Sequence, residues 1–178
     1  MNQNILAIDD EPDLLRLLER IIREKTPYSI TTTNNSLEVP LILKENEFDI
    51  IITDLKMPGM DGIDILKYVK DNKRFEQVII ITAFGSLDSA MEALSQGVFD
   101  YITKPFKKEQ IIFTIDRAMR FQKTTREAMK ISDMFLSAPY DKALELFRKE
   151  YIKRQLFLHQ GNKDEASKVS GLSQSEFD

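Results

Sequence analysis

The stretch IITDLKMPGMDG, residues 51–62, joins an apolar run to a loop rich in proline and glycine. The run ends on Asp54, although Asn, Ser or Gly would make the same turn without placing a charge there. Consecutive apolar β-branched residues are typical of a strand that is covered on both faces in a parallel sheet. The stretch therefore predicts an α/β fold, and it raises the question of why a buried strand ends on a carboxylate.

Short apolar runs alternate with segments of helical periodicity on both sides of this stretch, up to about residue 120. The first helical segment begins at Pro12, a residue type suited to the first turn of a helix. The second segment is a poorer helix, because Pro40 interrupts it. Five strand–helix repeats with short connections predict a doubly wound α/β domain rather than a bundle or a sandwich. The predicted strands are residues 4–8, 28–32, 48–53, 77–82 and 99–103.

Composition limits the classes of protein to consider. The 178 residues suit one ordinary domain with an appendage, or two small domains, and 42% hydrophobic and 30% charged residues allow a packed core. The sequence has no cysteine, which excludes disulfides and thiolate-bound zinc. The amino terminus does not resemble a signal peptide, and no apolar run approaches the roughly 18 residues of a membrane span. These features predict a cytoplasmic protein without a membrane partner, and the net charge of −4 argues against a nucleic-acid surface spread over the whole molecule.

Four of the predicted strands end on polar residues where apolar residues would serve the fold equally well. Asp9 and Asp10 follow the first strand, Asp54 the third, Thr82 ends the fourth and Lys104 follows the fifth. The carboxyl ends of parallel strands lie at one edge of the sheet, which is where open α/β sheets bind ligands. The sequence thus predicts three carboxylates, one hydroxyl and one ammonium around a single crevice.

This set of groups suits phosphoryl transfer. Crowded carboxylates repel one another unless a cation lies between them, and oxygen ligands without His or Cys favour a hard ion such as Mg²⁺. The ion and Lys104 would neutralise a phosphoryl group as it is transferred, and a carboxylate can accept that group as an acyl phosphate. Asp54, on the central strand at the start of the loop, is the best-placed nucleophile, and Thr82 would hydrogen-bond a phosphoryl oxygen.

The same residues, with DLKMPGMDG around Asp54 and DYITKPF around Lys104, resemble the receiver domain of bacterial two-component response regulators. The resemblance covers residues 3 to about 121 and agrees in residue identity, order and spacing. It implies a flavodoxin-like, five-stranded parallel sheet of strand order 2-1-3-4-5, and a cis peptide bond between Lys104 and Pro105.

The resemblance also implies how the site works. Asp54 would accept a phosphoryl group from a sensor histidine kinase, and Thr82 and Tyr101 would then change the surface formed by the fourth helix, fifth strand and fifth helix. The domain would catalyse only its own phosphorylation and dephosphorylation, so no separate enzyme activity is implied. The implied Mg²⁺ ligands are Asp9, Asp10, Asp54 and the backbone carbonyl of Lys56.

The end of the chain has a different character. After the receiver domain, residues 1–121, we predict a helical linker at 122–138 and an all-α module at 139–178. The module resembles the Fis-type module of nitrogen-regulator-type response regulators, which implies a homodimer paired through its long helix and a helix-turn-helix that enters the major groove of DNA. Ser170 stands where that family usually has leucine, and Asp178 falls in the first turn of the recognition helix, which is therefore incomplete. Residues 139–178 carry seven basic and seven acidic side chains, whereas contacts to DNA phosphates need excess positive charge.

Three functions follow as alternatives. The first is a phosphorylation-switched transcription regulator with a DNA-binding output. The second is a phosphorelay or partner-binding receiver whose terminal helices only dimerise or dock a protein. The third, an aspartate-nucleophile phosphatase of the haloacid-dehalogenase type, fits poorly, because that class has a second acid two residues after the nucleophile and this sequence has Lys56 there.

Overall fold

The computed structural model of the protein describes residues 3–83 and 87–177, with the side chains of 87–89, 131, 134 and 135 left out of the description. The chain divides into two compact units, Met1–Thr124 and Thr125–Asp178. The first unit contains the whole sheet, and the second is helical. Within the described residues, no helix combines the length and the apolar character needed to cross a membrane.

The first unit is built on a five-stranded sheet in which every pairing is parallel. Its strand order is β2-β1-β3-β4-β5, so the predicted flavodoxin-like topology is confirmed. The chain leaves β1 towards β2 on one side and returns to place β3 on the other, which makes the ends of β1 and β3 the switch point where ligands bind in such sheets. The strands are β1 Asn4–Ile8, β2 Ser29–Thr33, β3 Ile50–Thr53, β4 Gln77–Thr82 and β5 Asp100–Thr103.

Helices cover both faces of the sheet, which explains the uninterrupted apolar runs of the central strands. One core cluster joins alternate residues of the strands to α1 and α5, and the other joins the remaining strand residues to α2, α3 and α4. Ile50, Ile51 and Ile52 of β3 are all buried, although their side chains alternate between the two faces. The helices are α1 Pro12–Lys25, α2 Val39–Glu45, α3 Gly62–Asp71, α4 Leu87–Ser95, α5 Lys108–Leu136, α6 Tyr140–Leu158 and α7 Lys163–Ser170.

The prediction that Pro40 interrupts the second helix is wrong. Pro40 does not interrupt α2, because the helix begins at Val39 and the proline lies in its first turn. The preceding residues Ser36–Glu38 form a 3₁₀ turn, and the side chain of Asn35 caps that turn by accepting a hydrogen bond from the amide of Leu37. A proline in the first turn removes only an amide that would have no helical partner there.

The fifth helix is longer than the sequence pattern indicated. The predicted helix to residue 122 and the predicted linker helix after it form one continuous helix, α5, from Lys108 to Leu136. Neither glycine nor proline occurs between Pro105 and Pro139, so nothing in the local sequence ends the helix earlier. The division between the two units falls inside this helix.

The second unit contains α6, α7 and a terminal 3₁₀ turn, Gln174–Phe177. The side chain of Asn162 caps the start of α7, and Gly171 ends it in the left-handed conformation with φ of 72°. Ala166 and Phe177 are buried, whereas the described residues of α6 include no buried side chain. An apolar face of α6 is therefore largely uncovered within this unit, with Leu144 and Phe147 more than half exposed.

A hydrogen bond made by Tyr28, beside the first core cluster, predicts a pH dependence of the stability of the fold. The Tyr28 hydroxyl donates to Asp116 Oδ1 at 2.8 Å, and burial, followed by this bond and the Asp116 charge, raises the pKa of Tyr28 from 10.0 to about 12. The folded chain holds this proton more tightly than the unfolded chain, so the stabilisation is present below pH 10 and is lost as the pH rises towards 12.

The measurement is an ultraviolet titration of tyrosinate formation. We expect Tyr28→Phe to remove the phase near pH 12, whereas Tyr140→Phe, a matched change at an exposed position, should leave that phase in place. Loss of amplitude at the same pH in both variants would contradict the prediction.

Candidate functional site

The structure brings most of the predicted site residues together at the carboxyl edge of the sheet. Asp9 directly follows β1, Asp54 follows the neighbouring β3, Thr82 ends β4 and Lys104 follows β5. Asp9, Asp54 and Thr82 are 2%, 5% and 0% exposed, so these polar groups are taken out of water by the fold. Asp10, by contrast, is exposed in the bend between β1 and α1.

Lys104 is the centre of the charge arrangement. Its Nζ lies 3.0 Å from Asp9 Oδ2, 3.0 Å from Glu11 Oε1 and 3.5 Å from Asp54 Oδ1. Burial by itself lowers the pKa of Lys104, but the hydrogen bonds to Asp9 and Glu11 and the charges of Asp9 and Asp54 outweigh it, and the pKa lies above its ordinary value. The side chain is therefore an ammonium that joins carboxylates from two strand ends. The Lys104–Pro105 peptide bond is cis, as expected from the sequence.

The buried carboxylate of Asp9 is destabilised by its surroundings. Burial raises the pKa of Asp9, and the nearby charge of Asp54 raises it further. The hydrogen bond from the Glu11 amide to Asp9 Oδ1, at 2.8 Å, and the contacts with Lys104 act in the opposite direction without cancelling the rise. The ionised form of Asp9 is thus less well stabilised here than in water, and an added cation would stabilise it.

Asp54 has one satisfied and one open carboxylate oxygen. Its Oδ2 accepts a hydrogen bond from the Lys56 amide at 2.8 Å. Its Oδ1 is buried and has no hydrogen-bond partner among the described residues, with Lys104 Nζ at 3.5 Å as its ionic neighbour. A buried carboxylate oxygen without a hydrogen bond is unusual in a folded protein, and a functional role is one explanation for it.

The loop after Asp54 is held by the backbone at both of its ends. The Asp54 amide donates to Ile8 O at 3.1 Å, and the Gly62 amide donates to Leu55 O at 3.1 Å. Asp61 caps α3 by accepting from the amides of Ile63 and Asp64, both at 2.9 Å. These bonds fix the point at which the central strand ends, and with it the direction of the Asp54 side chain.

The donor set of this site fits Mg²⁺. Asp9 and Asp54 would supply hard oxygen ligands on either side of the crevice, and the buried Asp9 carboxylate beside the charge of Asp54 would be stabilised by an added cation. The described part of the chain contains no three acidic or histidine side chains already arranged as a metal cluster, and Asp10 is exposed. An ion at this site would therefore keep several waters, which is the way in which Mg²⁺ is usually bound.

Tyr101, the predicted switch residue, lies on β5, the neighbour of the strand that ends on Thr82. Tyr101 is half-buried on β5 and packs against the second core cluster, and it pairs in register with Ile80 of β4. Thr82 pairs with Thr103 two residues further along the same two strands. Ser86, the first residue of the predicted fourth helix, lies outside the described residues.

Sequence reasoning missed Glu11 as a member of this site. Glu11 contributes its amide to Asp9 and its carboxylate to Lys104. The signal was present in the acidic run DDEPD, but the run by itself does not show which of its carboxylates turns towards a lysine 93 residues later.

Comparison with known proteins decides the family. The model of the response regulator receiver domain matches residues 5–116. The chain belongs to the response regulator receiver domain family. Among solved receiver domains, one from Clostridium thermocellum is 34% identical with a TM-score of 0.64, and 69% of this chain covers 98% of it. The beryllofluoride-activated NtrC4 receiver domain dimer is 32% identical with a TM-score of 0.63, and 67% of this chain covers 98% of that one.

The curated relatives are nitrogen-regulator-like response regulators. The response regulator protein PilR of Pseudomonas aeruginosa is 32% identical over 134 residues, which are 75% of this chain and 30% of that protein. The DNA-binding transcriptional regulator NtrC of Salmonella typhimurium is 33% identical over 141 residues, 76% of this chain and 30% of that protein. The chain thus spans about a third of the length of these relatives. Because the receiver match ends at residue 116, the Fis-type resemblance of residues 139–178 stays a prediction.

Proposed function

We propose that this receiver is a phosphorylation-dependent switch in two-component signalling, with Asp54 as the phosphoacceptor. The observation that carries the proposal is the buried Oδ1 of Asp54, which has no hydrogen bond among the described residues and lies 3.5 Å from the Lys104 ammonium. A nucleophilic oxygen needs an available lone pair, and the attacking group here would have a positive charge already beside it.

The step transfers one phosphoryl group between two proteins. Asp54 Oδ1 attacks the phosphorus of a phosphohistidine on a sensor histidine kinase, so that the P–O bond forms as the P–N bond breaks and the electron pair leaves with the imidazole. Lys104 would neutralise the charge of the phosphoryl oxygens, and Thr82 would donate its hydroxyl to one of them. The product is a changed surface of the receiver rather than a released compound.

Magnesium is the proposed cofactor. Asp9, Asp10, Asp54 and the backbone carbonyl of Lys56 would hold the ion, with waters in its remaining positions. When bound, Mg²⁺ would neutralise the crowded carboxylates and the incoming phosphoryl oxygens. The carboxylate of Asp10 would have to turn towards the crevice, because it is exposed in the described structure.

The proposed output is transcription regulation through the second unit. The exposed apolar face of α6, with Leu144 and Phe147, supports pairing of two copies, and the name of NtrC describes a DNA-binding regulator. This proposal keeps the predicted division into a receiver domain that ends at residue 121, a linker that ends at residue 138 and a terminal helical module. The second candidate is a receiver whose terminal helices only dimerise or dock a protein, and the equal numbers of basic and acidic residues in 139–178 favour it.

The first test is phosphorylation of the whole chain. Incubation with a small phosphoramidate donor should add one phosphoryl group, seen by mass spectrometry, only when Mg²⁺ is present, and a chelator should prevent it. A chain that stays unmodified in both conditions would contradict the proposal. Fluorescence anisotropy with promoter DNA at two salt concentrations, with and without beryllofluoride, would then separate the two outputs.

The switch role of Tyr101 gives a separate prediction. Tyr101→Ala should leave phosphorylation largely intact, because the ring packs against the second core cluster, but it should reduce the spectral changes that beryllofluoride causes on α4, β5 and α5. The measurement is a pair of amide NMR spectra for each variant, with Tyr68→Ala on α3 as the matched control. Equal loss of phosphorylation and of the spectral response would count against a switch role.

A further inference from the structure

A buried serine lies beside the loop that follows Asp54. Ser36 begins the 3₁₀ turn after β2 and is only 2% exposed. Its hydroxyl donates to the carbonyl of Pro58 at 2.7 Å and accepts a hydrogen bond from the amide of Met60 at 2.8 Å. Pro58 and Met60 stand on either side of Gly59, so a single side chain from another part of the fold closes this turn.

The backbone at Gly59 passes close to the 3₁₀ turn that carries Ser36. Gly59 has φ of +89°, and a Cβ atom there would lie 2.7 Å from Ser36 Oγ and 2.9 Å from Leu37 Cγ. The backbone of the loop therefore packs directly against the 3₁₀ turn, in a conformation that favours glycine. The Ser36 hydroxyl and the backbone of Gly59 are therefore in close contact where the loop turns.

The 3₁₀ turn is itself held in place. Asn35 Oδ1 accepts from the Leu37 amide at 3.2 Å, and the side chains of Asn35 and Thr33 both donate to Glu38, at 3.1 and 3.3 Å. The carbonyl of Thr33 accepts from the amide of Asp9 at 3.3 Å. Ser36 thus stands on a hydrogen-bonded segment that is tied to the strand end carrying Asp9.

We propose that Ser36 is a positioning residue for the phosphoacceptor loop, an inference that rests on the proposed function of Asp54. By fixing Pro58 and Met60, the hydroxyl fixes the course of the chain at Lys56, two residues earlier. The Lys56 amide holds Asp54 Oδ2, and the Lys56 carbonyl is a proposed Mg²⁺ ligand. Without the hydroxyl, the loop loses its hydrogen bonds at Pro58 and Met60. The Asp54 carboxylate and the Lys56 carbonyl are then no longer held in a fixed orientation towards the same ion.

The test compares Ser36→Ala with Ser29→Ala, an exposed serine on β2 of the same unit. In the metal-free protein, we expect the amide NMR signals of Lys56 and Met60 to shift and broaden in Ser36→Ala only. In phosphorylation by a phosphoramidate over a series of Mg²⁺ concentrations, we expect the half-saturating Mg²⁺ concentration to rise about tenfold, the lower end of the range for the loss of an outer-shell partner. The maximal rate of phosphorylation should fall by a smaller factor than the half-saturating Mg²⁺ concentration rises. A general loss of stability would not separate these two quantities in this way.

A second variant keeps the proposal testable if Ser36→Ala does not fold. Ser36→Cys keeps the shape of the side chain with a somewhat larger atom and is a weak donor and acceptor, so it should change the same signals in the same direction. Unchanged Lys56 and Met60 signals and a half-saturating Mg²⁺ concentration within about twofold of wild type would overturn the inference. If the wild-type chain is not phosphorylated, the proposed function fails, and the metal-free spectra still decide whether Ser36 positions the loop.

Discussion

Replacing Asp54 by asparagine should abolish phosphorylation of the chain, with a loss of at least about a hundredfold in the rate of labelling. The amide side chain has nearly the same shape, and its oxygen can still accept the hydrogen bond that Asp54 Oδ2 receives from Lys56. It has no anionic oxygen to attack phosphorus, and it removes one of the carboxylates that would bind Mg²⁺. Lys104 keeps its contacts with Asp9 and Glu11, so the variant should remain folded.

The measurement is mass spectrometry after incubation with a phosphoramidate and Mg²⁺. The matched control is Asp71→Asn, an exposed aspartate at the end of α3, which should be labelled like the wild type. Asp54 repels the buried Asp9, so Asp54→Asn should not lower the free energy of unfolding. A variant that is still labelled at the wild-type level would remove Asp54 from the role of phosphoacceptor.

Replacing Gly62 by alanine should give the largest loss of stability that we predict for a single added methyl group. Gly62 is the first residue of α3, and in a helix alanine is ordinarily more favourable than glycine by about 1 kcal/mol. Here a Cβ atom would lie 2.5 Å from the carbonyl oxygen of Asp54 and 3.2 Å from Leu55 Cα. Both neighbours are backbone atoms of the phosphoacceptor loop, so the helix or the strand end has to shift, and we expect a loss of about 1–3 kcal/mol or more.

Gly97→Ala is the matched control for this change. Gly97 has φ of +80°, so alanine is strained there by about 1–2 kcal/mol, but its close neighbour is Lys70 Nζ, the end of a flexible side chain. Urea denaturation followed by circular dichroism should therefore rank Gly62→Ala as the more damaging of the two. Gly62→Ala should also slow phosphorylation, because the displaced carbonyl belongs to Asp54. The reverse ranking of stabilities would show that the approach of α3 to Asp54 is less tight than described.

The alternation of apolar runs and helical segments was sufficient to predict the sheet and its strands. The structure confirms the strand order that the receiver-domain resemblance implied, and β1 and β4 begin and end at the residues predicted from the pattern. These two strands are apolar at successive positions because both faces of the sheet are covered, so their limits are visible in the sequence without knowledge of the partner strands. The extent of α5 was harder to predict, because the polar residues after 121 resemble a linker whether or not the helix continues through them.

The candidate site was predicted in part. Polar residues at four strand ends pointed to the edge where the structure places Asp9, Asp54, Thr82 and Lys104. The sequence could not distinguish the buried Asp9 from the exposed Asp10, because the two are neighbours with the same side chain. The difference depends on which of them follows the last buried residue of β1 into the crevice. The roles of all these residues stay predictions until phosphorylation is measured.

The sequence by itself determined the order of strands and helices and the type of chemistry that their ends can carry, because hydrophobic periodicity and residue identity are local properties. Only the tertiary structure decided which groups meet. The distance of 3.0 Å between Lys104 and Glu11, and the bonds from Ser36 to Pro58 and Met60, join residues from separate elements of the chain. Such contacts depend on how the helices and loops pack against the finished sheet, and no local pattern encodes that packing.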